Sequence, residues 1–255
     1  MRSPISFLRA CWRISLLLLH VGYGLLALRC YFPYARAENL WRYRRHWSRL
    51  LLRILKVELP AIEPRLDTTS LVVCNHISWL DIFVISACIP AHFVCKIEIR
   101  RWPVIGWLVA AAGTVFIDRS SRAGAARTMQ ALSASLKQGE SVVFFPEGTT
   151  TDGSVLLPFN AALFEAASLT GAPVSPLSLR YLDHTGQMSL APAYVGDVNF
   201  FQCVVAIARA PLTRVRFNQL PALPGGEARR SYAARCEQAI AQDLQVDVMR
   251  EDAGA

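Results

Sequence analysis

Asn75-His76-Ile77-Ser78-Trp79-Leu80-Asp81 sets an imidazole and a carboxylate five residues apart, directly after the apolar run Leu71-Val72-Val73-Cys74. A carboxylate on one ring nitrogen fixes the tautomer of a histidine, raises its basicity and stabilises the imidazolium formed on taking a proton. Those are the needs of a general base working on a hydroxyl. The same residues also fit a plainer role, because Ser78-x-x-Asp81 has the form of a helix capping box and His76 would then be a loop histidine. A second apolar run ends in Phe145-Pro146-Glu147-Gly148-Thr149. Glu147 can accept a hydrogen bond from a hydroxyl substrate, and Gly148 lets backbone approach a ligand closely. The stretch Thr149 to Gly153 also reads as a surface turn. Arg119, in Ile117-Asp118-Arg119-Ser120, offers a planar donor fork for phosphate or carboxylate, or for a surface ion pair with Asp118. Cys74 lies two residues before His76, but proximity alone does not activate a thiol. The chain has no Walker A loop, no G-x-G-x-x-G and no G-x-S-x-G, so a nucleotide cradle and a serine-hydrolase elbow are unsupported.

Positioning these groups requires strands that end where they begin. Short β-type runs alternate with helical stretches from Leu59 onward. Strands are expected at Leu71–Cys74, His92–Cys95, Thr114–Ile117, Ser141–Phe145, Val174–Tyr181, Ala193–Val195 and Arg214–Phe217. Helices are expected at Leu80–Cys88, Val104–Ala112, Ala123–Lys137, Ala161–Leu169 and Glu227–Leu244. This alternation predicts an α/β fold with a central, largely parallel sheet flanked by helices. In such sheets ligands bind beyond the carboxyl ends of the strands, where His76, Arg119 and Glu147 fall.

The N-terminal part is different in kind. Of 255 residues, 53% are apolar and 18% charged, with 27 Lys/Arg against 19 Asp/Glu and a net charge of +8. Mean hydropathy is +0.29. Disordered and collagen-like classes are excluded, and a freely soluble enzyme is disfavoured. Eleven Lys/Arg lie at or before Lys56 against one acid, Glu38, so the whole basic excess sits in this fifth of the chain. Ile14 to Leu28 is a 15-residue stretch without formal charge, short of the roughly 18–20 apolar residues that span a bilayer. A retained helix that dips into or crosses the membrane is expected, the alternative being a helix buried in a soluble core. A second helix, Asn39 to Val57, carries Arg42, Arg45, Arg49 and Arg53 on one face and an apolar stripe on the other, the pattern of an interfacial helix. Two units follow: residues 1–58, a membrane-docking helical hairpin, and residues 59–255, the α/β domain. Juxtamembrane Arg residues place the hairpin on the cytoplasmic face of the inner membrane. A basic segment fused to an apolar run selects an anionic membrane surface over nucleic acid as partner. Seven cysteines at wide spacings, without C-x-x-C, argue against a disulfide framework and a zinc site.

Taken in order, these blocks resemble the 1-acyl-glycerol-3-phosphate acyltransferase (lysophospholipid acyltransferase) family over roughly Leu71 to Leu179. Asn75–Asp81 is similar to its His-x4-Asp block, and Lys96-x-Glu98 with Pro103 and Gly106 to the segment that follows. Gly113–Arg119 resembles its second block, Phe145–Thr149 its third and Ala172–Leu177, with Pro176, its fourth. The resemblance implies direct acyl transfer from acyl-CoA or acyl-carrier protein to a lysolipid hydroxyl, with neither metal nor other cofactor. His76 and Asp81 would be catalytic. Arg119, Glu147, Gly148, Thr149, Lys96 and Pro176 would bind substrate, with backbone N–H groups near Gly148 facing the oxyanion. It also implies an N-terminal two-helix membrane-docking element. Two positions depart from the pattern: Thr150 and Asn160 stand where phosphate-using members usually carry Arg and Lys. By family frequency the resemblance implies lysophosphatidic acid as acceptor, and the two departures make lyso-ornithine lipid, which has no phosphate, the alternative. A non-catalytic lipid-binding protein on the same fold is a further reading.

Overall fold

A computed structural model describes residues 4–102, 105–111, 113–117 and 121–250. Arg119, Asp118 and Pro103 lie outside the described residues.

Seven strands form one sheet in the order β1-β7-β6-β2-β5-β3-β4. The centre is β2 (Leu71–Cys74), with β5 (Val142–Phe144) and β6 (Val174–Leu182) parallel on either side. All four residues of β2 are fully buried, since helices cover both faces. That is why β2 reads as an unbroken apolar run rather than an alternation. β3 (His92–Lys96) and β4 (Val115–Ile117) extend the parallel part. β7 (Thr213–Gln219) pairs antiparallel with β6 and alternates buried with exposed residues, as expected of a strand wet on one side. β1 (Val57–Glu58) adds a short edge strand parallel to β7. The expected strand Ala193–Val195 does not form. Pro192 and the positive-φ Gly196 bracket it, and the Tyr194 N–H donates instead to the Ile77 carbonyl at 3.1 Å.

Side-chain alternation divides the core. Val72, Cys74, Leu177, Leu179 and Tyr181 face one layer, shared with α2 (Ala37–Ile54), α3 (Leu80–Cys88) and α7 (Phe200–Arg209). Leu71, Val73 and Phe144 face the other, which includes α5 (Arg122–Lys137), α6 (Glu165–Thr170) and α8 (Arg229–Leu244). Each fully buried Leu or Phe contributes about 1.5–3 kcal/mol, so this two-sided core makes a rigid platform for the strand ends. α7 is not among the expected helices, although Asn199 at its N-cap and Gln202 in its first turn form a complete capping box.

α1 (Pro4–Cys30) is 27 residues long, well beyond the uncharged stretch. It is long and apolar enough to cross a membrane by length and composition. One side is committed to protein. Arg13, buried, donates to the carbonyls of Ala208, Ala210 and Pro211, and Arg9 donates to that of Arg209. Two guanidinium groups thus occupy the negative end of α7. His20 stacks on Trp47 of α2 with centroids 4.4 Å apart. The opposite side exposes Ile5, Leu8, Trp12, Leu18, Leu19 and Leu26.

α2 is less free than its amphipathic pattern implies. Leu51, Leu52 and Leu55 enter the same core as α3. Arg45 and Arg49 both donate to the Ala87 carbonyl near the end of α3, and Arg49 pairs with Glu63. The expected boundary at residue 58 falls on β1, which is hydrogen-bonded into the sheet.

Candidate active site

β2 ends at Cys74, and the chain crosses the sheet's carboxyl edge before α3 begins. The Asn75 side chain bridges the gap. Its carboxamide donates to the Leu179 carbonyl at 2.9 Å and accepts from the Leu179 N–H at 2.8 Å. It thus continues the β2–β6 ladder for one residue after the backbone has left it, and fixes where His76 starts.

His76 Nδ1 and Asp81 Oδ2 are 2.8 Å apart. The same oxygen accepts from the backbone N–H of Ile77 at 2.7 Å and of Ser78 at 3.0 Å. The other carboxylate oxygen accepts from the Tyr181 hydroxyl at 2.7 Å. Asp81 therefore opens α3 by binding N–H groups that precede the helix, rather than as the partner of a Ser78 cap; no side chain caps this helix. An acceptor-only carboxylate suits all four donors, and it makes Nδ1 the protonated nitrogen of a neutral His76 ring. Nε2 then carries the lone pair. The Asp81 side chain is fully buried and that of His76 is 20% exposed, so the imidazole is the member of the pair that a substrate can reach. Phe145 stacks on the imidazole with centroids 4.0 Å apart and planes at 10°, holding it from one face.

Glu147 holds the loop from below. Oε1 accepts from the His76 N–H at 2.7 Å and Oε2 from the Leu157 N–H at 2.9 Å. Burial pushes its pKa up to about 7, against the two N–H bonds, which favour the anion; Asp81 adds a smaller upward push. Its folded value exceeds the ordinary 4.5, so the stability it contributes is full below 4.5 and is lost as pH rises through about 7. Glu147→Gln offers one oxygen where two N–H groups converge, leaving one facing an amide nitrogen. We expect a loss of about 1–3 kcal/mol near neutral pH and a flatter stability profile between those two pH values, measured by denaturant titration across pH.

Further backbone bonds lock the surrounding loops together. Thr151 N–H donates to the His76 carbonyl at 2.9 Å, and Asn160 N–H to that of Pro146 at 3.0 Å. Gly148 turns the chain after β5 at φ 73°, with its N–H on the Phe145 carbonyl, a backbone conformation that favours glycine. A side chain at Gly153 would meet Ile77 Cδ1 at 3.0 Å, so the two loops touch there.

His76, Asp81, Glu147, Gly148 and Thr149 are thus brought to one place. Lys96 ends β3 on the same edge of the parallel sheet and is exposed. Pro176 lies inside β6 beside Val73, buried, with its carbonyl accepting from Leu220. Thr150 and Asn160 serve the backbone locally. The Thr150 hydroxyl donates to the Tyr194 carbonyl, and Asn160 Oδ1 accepts from Ala162 N–H at 2.8 Å. Burial pushes the Cys74 thiol well above its usual range, which opposes a nucleophilic thiolate. Among the described residues no three His, Cys, Asp or Glu side chains gather as metal ligands. Sequence reasoning did not single out Asn75, Phe145 or Tyr181 for a role. Asn75 and Phe145 lie within the quoted blocks, whereas Tyr181 is 100 residues from Asp81 and carries no local signal.

Comparison with known proteins places the chain among acyltransferases. A family model described as Acyltransferase matches residues 56–180. A 1-acyl-sn-glycerol-3-phosphate acyltransferase of Neisseria meningitidis is 40% identical over 181 residues, covering 71% of this chain and 70% of that protein. A lyso-ornithine lipid O-acyltransferase of Pseudomonas aeruginosa is 34% identical over 229 residues, 88% of each chain. The crystal structure of the 1-acyl-sn-glycerophosphate acyltransferase from Thermotoga maritima superposes with a TM-score of 0.68 over 96% of this chain and 97% of that one, at 19% identity, a likeness of fold.

Proposed function

Because this chain belongs to the acyltransferase family, we propose that it transfers a fatty acyl group from acyl-CoA or acyl-carrier protein to the hydroxyl of lysophosphatidic acid, giving phosphatidic acid. One observation carries the reading: an imidazole tied to a buried carboxylate at 2.8 Å, with its second nitrogen left for chemistry. His76 Nε2 takes the hydroxyl proton as the oxygen attacks the thioester carbonyl. As the tetrahedral intermediate collapses, the C–S bond breaks and the imidazolium gives its proton to the departing thiolate, releasing the free thiol. The atoms balance without a covalent enzyme intermediate. Asp81 stabilises the imidazolium and Glu147 holds the His76 backbone in place. Lys96 and Arg119 supply positive charge for an anionic head group or carrier. Thr149 and Gly148 complete the acceptor side, and backbone N–H groups near Gly148 receive the oxyanion; Pro176, buried inside β6 beside Val73, acts on the site only by shaping the strand.

The exposed apolar side of α1 supports a membrane-bound enzyme, and the adjoining Arg residues support the cytoplasmic face of the inner membrane. Its partners are then a lysolipid, a thioester carrier and an anionic lipid surface.

A second acceptor has its own support. Thr150 and Asn160 spend their polar atoms on backbone groups and bring no charge. The P. aeruginosa relative, named for lyso-ornithine lipid, matches 88% of this chain. Purified protein in mixed micelles, given both lysolipids with acyl-CoA and with acyl-carrier protein and read by mass spectrometry, separates the two. Product from lysophosphatidic acid is expected. Turnover on lyso-ornithine lipid alone reassigns the acceptor, and turnover on neither removes the catalytic reading.

A further inference from the structure

We infer that Tyr181 is a positioning residue of the transfer reaction: its hydroxyl holds the outer oxygen of Asp81 and thereby sets how strongly the His76–Asp81 pair takes up a proton. The inference rests on the general-base reading of His76.

The geometry begins with strand length. β2 stops at Cys74, paired with Leu177, whereas β6 runs on to Leu182. Leu177, Leu179 and Tyr181 alternate onto the face shared with α3, and Tyr181 is the last of them. It therefore stands past the end of β2, in the space that the His76 loop and the first turn of α3 occupy. The strand cannot drift, because Leu179 is bonded on both sides of its peptide to Asn75, and Tyr181 itself pairs with Val215 of β7. A rigid two-torsion side chain on a strand paired with β7 is a more exact anchor than a loop residue.

The chemistry is that of a shared acceptor. Asp81 Oδ2 already accepts from His76, Ile77 and Ser78, and Oδ1 has the Tyr181 hydroxyl at 2.7 Å. Tyr181 is 1% exposed and Asp81 wholly buried, so a lost donor here is not replaced by bulk water. The donor draws negative charge toward Oδ1 and away from the oxygen that faces the imidazole. Removing it leaves a more proton-hungry pair, whichever member holds the proton. It also frees the carboxylate to turn about its Cβ–Cγ bond. The other groups around the pair are Glu147 below the loop, Cys74 on β2 and Cys203 on α7, each with an electrostatic influence involving Asp81. None of these three is bonded to Oδ1.

Tyr181→Phe keeps the ring and removes only the hydroxyl. Wild type, Tyr181→Phe, Asp81→Asn and the double variant are purified and assayed with acyl-CoA and the better lysolipid across pH, below all melting transitions. We expect Tyr181→Phe to lower kcat about tenfold with KM unchanged, the scale of one hydrogen bond to a charged group. We also expect the acidic limb of its kcat profile to move to higher pH. In the Asp81→Asn background, where no carboxylate remains, the tyrosine change should leave the limb where it was. A buried tyrosine that merely fills space would lower the melting temperature without moving the limb, and that result overturns the inference. So does a limb shift that persists in the Asp81→Asn background. If His76→Ala keeps wild-type turnover, the general-base reading itself has failed; an active wild type with a silent Tyr181→Phe sinks only the role of the tyrosine.

Discussion

Replacing His76 by alanine leaves the protein folded and cuts acyl transfer by about 10²–10⁴-fold, the range over which a general base contributes. The fold survives because the loop is held by backbone rather than by the ring. The His76 N–H stays on Glu147, its carbonyl stays on Thr151 N–H, and Asp81 keeps Ile77, Ser78 and Tyr181 as donors. What disappears is the ring nitrogen that takes the hydroxyl proton beside the buried Asp81 carboxylate. Circular dichroism and a thermal melt check the fold, and a radiolabelled acyl-CoA assay checks the rate. Near-normal turnover in a well-folded sample would falsify the assignment and leave the lipid-binding reading in its place.

Asp81→Asn has the next largest effect, and its mechanism differs. A carboxamide supplies one oxygen, and the three donors at Oδ2 claim it. The amide nitrogen then faces Tyr181, whose hydroxyl can accept as well as donate. The loop and the tautomer of His76 therefore persist, but the negative charge that stabilises the imidazolium is gone. The expected loss in kcat is smaller than for His76→Ala, within the roughly 10²–10⁴-fold that a general base contributes. The acidic limb of the pH profile moves down, because an imidazole without its carboxylate takes a proton less readily. An unchanged rate, or a limb that moves up, would count against the dyad.

Much of this site was legible in the chain because its parts are local. His76 and Asp81 are separated by one strand-to-helix turn, short enough for the carboxylate to reach back to the imidazole, as it does at 2.8 Å. Phe145 to Thr149 lie at the end of a strand whose apolar run announces it. Composition carried the N-terminal helices just as directly, since charge and hydropathy are sums over residues. The local signal misled at Ala193–Val195, where β-propensity lost to flanking Pro192 and Gly196 and to a bond with Ile77. It was also partial for α2, whose Arg45 and Arg49 serve the end of α3.

By itself, then, the order of residues determined that a histidine–carboxylate pair sits after a buried strand, in an α/β chain with a basic, apolar N-terminus. Only the tertiary structure decided what surrounds that pair. Tyr181, Asn75's hold on β6 and Glu147's two backbone bonds depend on β2 and β5 lying beside each other and on β6 outrunning β2. Such contacts join positions from 10 to 104 residues apart. Sheet register creates them, and register is a property of the packed core as a whole rather than of any short window of sequence.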